Sequence, residues 1–125
     1  MRKVVVRPDA EADIEDCADY TIGEWGHEQA RRYVGELRRA IESLATTASR
    51  YPLYDEVHPG LRRKRSAMHH IYYRAFDDRV EILKVIHVQR DRVLALIDEG
   101  LASPIDEGFD LDTWFEAEFG DSASG

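Results

Sequence analysis

Two consecutive stretches of helical apolar spacing, joined by a corner of a few residues, restrict what this chain can fold into more than any other feature. Ala10, Ile14, Cys17, Ala18 and Ile22 fall three and four residues apart, the stripe of an amphipathic helix. Pro8 and Asp9 supply its start, because proline's fixed φ suits a first helical turn. Ala30, Tyr33, Val34, Leu37, Ile41, Leu44, Ala45 and Ala48 mark a second stripe over about 27–49, with Arg31, Arg32, Arg38, Arg39 and Glu42 on the other face. Residues 23–26 break the pattern, and Trp25 is expected to pack inside the corner. Two helices that are each apolar on one side form an antiparallel hairpin that must lie on another layer.

That layer is a sheet. Residues 2–7 are short, β-branched and closed by Pro8, which reads as an edge or first strand. After a loop at 51–60, punctuated by Pro52, Pro59 and Gly60, come extended segments at 61–65, 68–76 and 80–88, the last two separated by an Asp77-Asp78 turn. In the last, Val80, Ile82, Lys84, Ile86 and Val88 alternate with Glu81, Leu83, Val85 and His87. Branched residues in both sets point to a central, largely buried strand. The expected fold class is α+β, in the order β-α-α-β-β-β: a helical hairpin packed on an antiparallel sheet, followed by an acidic tail.

Charge divides the chain. The 17 bases and 16 acids up to Ile97 give +1, whereas nine acids and no base from Asp98 onward give −9. A short helix over 92–99 and a linker at 102–104 are expected to lead into this tail, which carries Phe109, Trp114, Phe115 and Phe119 on an acidic background. Such a segment cannot bury its own aromatic residues but can bury them on a partner, and its charge complements the basic strands. From Gly60 to Arg92 there are nine bases against four acids, a surface suited to a polyanion or an acidic protein.

Several chemistries are not expected. No Walker loop, dinucleotide turn, cysteine pair or His-Glu-x-x-His is present. His69 and His70 are strand neighbours that point to opposite faces, so they do not share a metal. Cys17, the only cysteine, lies on the apolar stripe as a small hydrophobe with no disulfide partner. No apolar run approaches the roughly 20 residues of a membrane span, and Arg7-Pro8-Asp9 ends the first apolar run short of a signal-peptide core. The expectation is a cytoplasmic protein with no metal, no cofactor and no membrane contact. His87, closing the last strand beside Gln89, Arg90 and Asp91, is a candidate acid or base.

Five strings, in order, resemble the ParE branch of the ParE/RelE toxin superfamily: Ala12-Asp13-Ile14-Glu15-Asp16, Trp25-Gly26-His27-Glu28-Gln29-Ala30-Arg31-Arg32-Tyr33, Pro59-Gly60-Leu61-Arg62-Arg63, His70-Ile71-Tyr72-Tyr73-Arg74 and Val80-Glu81-Ile82-Leu83-Lys84-Val85-Ile86-His87. They span about residues 4–92. Leu94-Ala95-Leu96-Ile97-Asp98-Glu99-Gly100-Leu101-Ala102-Ser103, with Phe109-Asp110-Leu111-Asp112 and Trp114-Phe115, resembles more weakly the toxin-binding C-terminus of a ParD antitoxin. The resemblance implies a toxin domain over 1–92, an antitoxin-like tail over 93–120 bound to it, and a disordered end over 121–125.

It further implies a type II toxin that inhibits DNA gyrase by direct binding rather than as an enzyme. The partners implied are gyrase and a ParD-like antitoxin or the chain's own tail, with a homodimer formed by tail exchange as a further possibility; no sequence-specific DNA binding is implied, because the antitoxin's DNA-binding half is missing. Target-binding candidates are Arg62, Arg63, Arg65, Arg74, His87, Arg90 and Arg92, acting by charge-assisted hydrogen bonds. Phe109, Leu111, Trp114, Phe115 and Phe119 are the expected tail anchors, with the tail's acids neutralising the basic sheet. Two alternatives stay open: a RelE-like, ribosome-dependent mRNA endonuclease, with Arg65, Arg74 and His87 as catalytic residues, and a self-inhibited binding module without enzymatic activity.

Overall fold

A computed structural model of the chain describes residues 1–91 and 110–120. β1 (Lys3–Val6) leads into α1 (Pro8–Trp25) and α2 (His27–Thr47), then β2 (Leu61–Ser66), β3 (His69–Ala75), β4 (Arg79–His87) and α3 (Leu111–Phe119); short 3-10 turns follow α2 at Ala48–Arg50 and β4 at Val88–Arg90. The helix expected over 92–99, the linker at 102–104 and the end at 121–125 lie outside the described residues. Among the described residues no helix is long and apolar enough to cross a membrane.

Gly26 makes the helical corner. Its φ of 90° ends α1, its amide donates to the Ile22 carbonyl, and its carbonyl accepts from Ala30 to open α2; a side chain would be strained there. The stripes read from sequence then turn inward, with Ala10, Ile14, Cys17 and Ala18 of α1 and Ala30, Val34, Leu37, Ile41 and Leu44 of α2 buried in one core with Ile71, Tyr73, Val80, Ile82 and Val85 of the sheet. Trp25 departs from expectation. It is 69% exposed rather than packed in the corner, because the tight turn at Gly26 leaves the last residue of α1 on the outside.

The sheet order is β1-β4-β3-β2, so β4 is central and β1 is an edge, as the apolar density of one and Pro8 beside the other imply. β2, β3 and β4 pair antiparallel, but β1 joins β4 in parallel. The sheet is therefore mixed rather than wholly antiparallel, because the two-helix excursion after β1 returns the chain to the sheet by a crossover instead of a tight hairpin.

β4 also departs from simple alternation. Its pairing with β3 steps from Ile82↔Tyr73 to Lys84↔Tyr72, which leaves Leu83 as the extra residue of a bulge. The consequence is a change of phase. Val80, Ile82 and Val85 share the helix-facing core, whereas Leu83 and Ile86 join Leu61 and Tyr72 on the opposite face, which Tyr54 and Val57 of the 51–60 loop cover. Asp13 of α1 holds the bulge, its carboxylate accepting from the Val85 amide at 2.9 Å and pairing with the Lys84 ammonium at 3.3 Å. Burial pushes the Asp13 carboxyl above its ordinary range in spite of both partners, and the Lys84 side chain is 8% exposed.

Breaking a buried pair from one side leaves the other charge uncompensated, at about 3 kcal/mol or more. Asp13→Ala is accordingly expected to lower the unfolding free energy by about 3 kcal/mol in urea melts. Asp13→Ala combined with Lys84→Met, which removes the stranded ammonium, is expected to recover part of that loss.

Candidate functional site

The bulge decides which way the end of β4 faces. Strict alternation from Val80 would place His87 with Glu81, away from the helices; the extra residue instead brings it opposite His69, ring centroids 5.2 Å apart, on the helical side. Here the hairpin corner, the β2–β3 turn and the end of β4 enclose a cleft of about 750 Å³. Tyr33 Oη lies 2.6 Å from His69 Nδ1 and accepts from the Met68 amide at 3.2 Å. Burial, assisted by His87 and Arg90, pulls the His69 imidazole down to about 4, so it is neutral at neutral pH. Cys17 lines the inner wall as a buried thiol whose pKa burial raises, consistent with packing rather than nucleophilic chemistry.

The candidates of the opposite face are distributed differently. Asp91 Oδ2 accepts from Tyr72 Oη at 2.5 Å and lies 2.6 Å from His70 Nδ1, with Arg63 at 4.0 Å. Arg63 also stacks under the Tyr54 ring at 4.8 Å. Arg62 turns to the helical side and donates to the Tyr51 carbonyl at 2.6 Å. Arg65 donates to the Ala67 carbonyl beside the β2–β3 turn, while Arg74 sits over Phe76 at the far end of β3. The rows of Arg65 (opposite His70) and Arg74 (opposite Leu61) are four residues apart, about 13 Å along a strand. Arg65 and His87 are thus at one end of the sheet and Arg74 at the other. Arg90 is exposed at the cleft; Arg92 lies outside the described residues.

The acidic tail meets the body elsewhere than the sequence suggests. Asp110 caps α3, accepting from the Asp112 and Thr113 amides at 3.0 and 3.2 Å, and Leu111, Phe115 and Phe119 form one buried face four residues apart. That face packs on α2 and not on the basic strands. Gly35 makes the approach possible: a Cβ there would stand 3.4 Å from the Phe115 ring. Arg38 lies 4.3 Å over that ring and pairs with Asp112 and Glu116, each at 3.5 Å. Arg31 donates to the Phe119 carbonyl at 3.1 Å, and His27 stacks on Phe119 at 5.3 Å. The basic strands lose the tail to α2 for an energetic reason. Apolar anchors contribute about 1.5–3 kcal/mol each when buried and solvent-exposed ion pairs about 0–1, so the glycine notch outweighs the more basic sheet. Trp114 is only half-buried, and Phe109 lies outside the described residues. Among the described residues no group of His, Cys, Asp and Glu could hold a metal ion.

This contact is expected to depend on pH. Partial burial, then the adjoining Asp112 carboxyl, holds the Glu42 carboxyl up at about 7 despite Arg38. A raised carboxyl pKa favours the docked state below the ordinary value of 4.5, and that contribution is lost as pH rises through about 7. Protection of the α3 amides from hydrogen exchange should therefore be greater at pH 5.5 than at pH 8, and Glu42→Gln should flatten the difference. Gly35→Leu should abolish α3 protection at both pH values while the sheet amides stay protected.

Comparison with known proteins places the body firmly. The family model of the ParE toxin of the type II toxin-antitoxin system, parDE, matches residues 4–92. Toxin ParE1 of Mycobacterium tuberculosis is 30% identical over 90 residues, 71% of this chain and 92% of that protein. Toxin ParE of Escherichia coli is 30% identical over 100 residues, 78% of this chain and 96% of its own length, and Toxin ParE1 of Caulobacter vibrioides is 37% identical over 78 residues, 62% and 80% respectively. A solved structure described as a chromosomal ParDE TA system from P. aeruginosa shares the fold, with a TM-score of 0.62 at 20% identity over 70% of this chain and 97% of that one. With its helical hairpin, mixed sheet and matched span all in agreement, the chain belongs to the ParE toxin family of type II toxin-antitoxin systems.

Proposed function

We propose that the toxin body arrests growth by binding a subunit of DNA gyrase without chemistry of its own, and that α3 is an antitoxin-like element that silences the body in the same chain. The observation that carries the second part is the seating of Leu111, Phe115 and Phe119 against α2, with Phe115 over Gly35 and under Arg38. An acidic helix that buries two phenylalanines on an arginine-bearing surface has the makeup of an inhibitory peptide. Joined to the body covalently, it acts at an effective concentration on the order of millimolar, so modest intrinsic affinity suffices to hold it.

A binding role is supported by the way the candidate residues are employed. RNA cleavage needs groups that converge on one scissile phosphate. Arg74 stands about 13 Å along the sheet from Arg65, so Arg65, Arg74 and His87 do not meet around one phosphate, and no specific geometry favours the endonuclease reading. Arg62 and Arg63 are occupied in internal contacts with Tyr51, Tyr72 and Asp91, whereas Arg65 and Arg90 are the exposed members of the set, with half-buried Arg74 and His87 as its further target-binding members. Arg92 completes that set in the proposal.

The test compares the whole chain with Phe115→Ala/Phe119→Ala, expressed in a bacterium under a tight promoter and added to purified gyrase. The parent is expected to leave growth and supercoiling intact, and the double variant to stop growth and inhibit supercoiling. Growth arrest with normal supercoiling and cleaved mRNA would refute gyrase as the target. Equal harm from both chains would refute silencing by α3.

A further inference from the structure

Three large apolar side chains that most folds would cover stand exposed around the same cleft: Tyr20 at 62%, Trp25 at 69% and Met68 at 41%. Scattered singly such residues mean little, but these border one concavity whose floor is set by Tyr33, His69 and His87. Tryptophan, tyrosine, methionine and arginine are the residue types concentrated where protein partners bind, with energy centred on a few anchors in a pocket. The core closes without them, since none of the three is among the residues buried in it or packed against it.

The cleft's charges indicate what enters it. Lys84 is neutralised by Asp13. Asp16 lines the α1 wall and Arg90 lies exposed at the mouth; Arg65 is not one of the lining residues but stands at the cleft's edge, donating to the Ala67 carbonyl and to the sulfur of Met68, and neither arginine has a carboxylate partner among the described residues. Two cations beside an aromatic rim complement an apolar anchor flanked by acids. α3 has that character but is already seated on α2.

From this we infer that the cleft at the helical corner, rather than the arginines spread over the sheet, is the toxin's principal target-docking surface. It receives a protein segment that inserts one aromatic or long aliphatic side chain between Tyr20, Trp25 and Met68 and presents a carboxylate to Arg65 or Arg90. The inference rests on the reading of the chain as a toxin that works by binding a protein. It deepens that reading by naming the surface and the chemistry of the partner, and it does not depend on which protein is the target. It also gives a purpose to the bulge in β4, which turns His87 into this cleft and places Arg90 beside it.

The test uses the full chain with Phe115→Ala/Phe119→Ala as the active parent, and adds Tyr20→Ala/Trp25→Ala or the conservative Tyr20→Phe/Trp25→Phe. Removing two central anchors is expected to weaken affinity for gyrase about 30-fold or more and to abolish growth arrest, with an unchanged thermal midpoint; the phenylalanine pair is expected to retain most of both. Growth arrest by the alanine pair equal to that of the parent would overturn the docking surface while leaving the proposed function standing. If the parent arrests growth but does not bind gyrase, the gyrase reading falls, and loss of arrest in the alanine pair still supports the surface. A parent that fails to arrest growth at all would overturn both.

Discussion

Much of this molecule depends on one carboxylate. Asp13, on the inner side of α1, accepts from the backbone of β4 at Val85 and neutralises Lys84, and it does so where the strand carries an extra residue. A bulge leaves local hydrogen-bonding capacity unsatisfied and bends the strand; a side chain from the covering helix supplies the missing partner. The same contact fixes how α1 lies on the sheet. The phase change lets β4 bury Val80, Ile82 and Val85 on one face and Leu83 and Ile86 on the other. It also turns His87 toward the helices, so the cleft is a product of the core's own geometry.

Periodicity made the helices and strands legible because burial on one face leaves a regular trace. The stripes of α1 and α2, the central place of β4 and the edge place of β1 all follow from that trace. The bulge left no such signal, since Leu83, Lys84 and Val85 fit either phase of a strand rich in branched residues. Trp25 departs from its expected place for a related reason: aromatic residues are usually buried, and only the backbone at Gly26, with its φ of 90°, shows that this one faces outward. The parallel pairing of β1 likewise rests on chain path rather than local pattern.

The site was only half legible. Sequence charge pointed the acidic tail at the basic strands, yet the strands' arginines are partly engaged: Arg62 holds the Tyr51 carbonyl, and Arg63 sits between Tyr54, Tyr72 and Asp91. Leu111, Phe115 and Phe119 stand four residues apart in the sequence, but the surface they bury against is not readable there. It is made by Gly35, a residue whose significance appears only when two helices approach closely. A glycine two helical turns into an arginine-rich face, i+4 from Arg31 and i−3 from Arg38, was the available signal. The outcome is a toxin body with two unlike surfaces, an arginine-bearing helix occupied by α3 and an aromatic cleft that none of the described residues fills.

The helix α3 of each chain occupies α2 of that same chain through Phe115 in the Gly35 notch. An isotope-filtered nuclear Overhauser experiment on a mixture of labelled and unlabelled chains reads this directly. Phe115 ring to Gly35 α-proton contacts are expected within single chains and none between labelled and unlabelled molecules. Contacts only between molecules, or no Phe115 to Gly35 contacts at all, would contradict it.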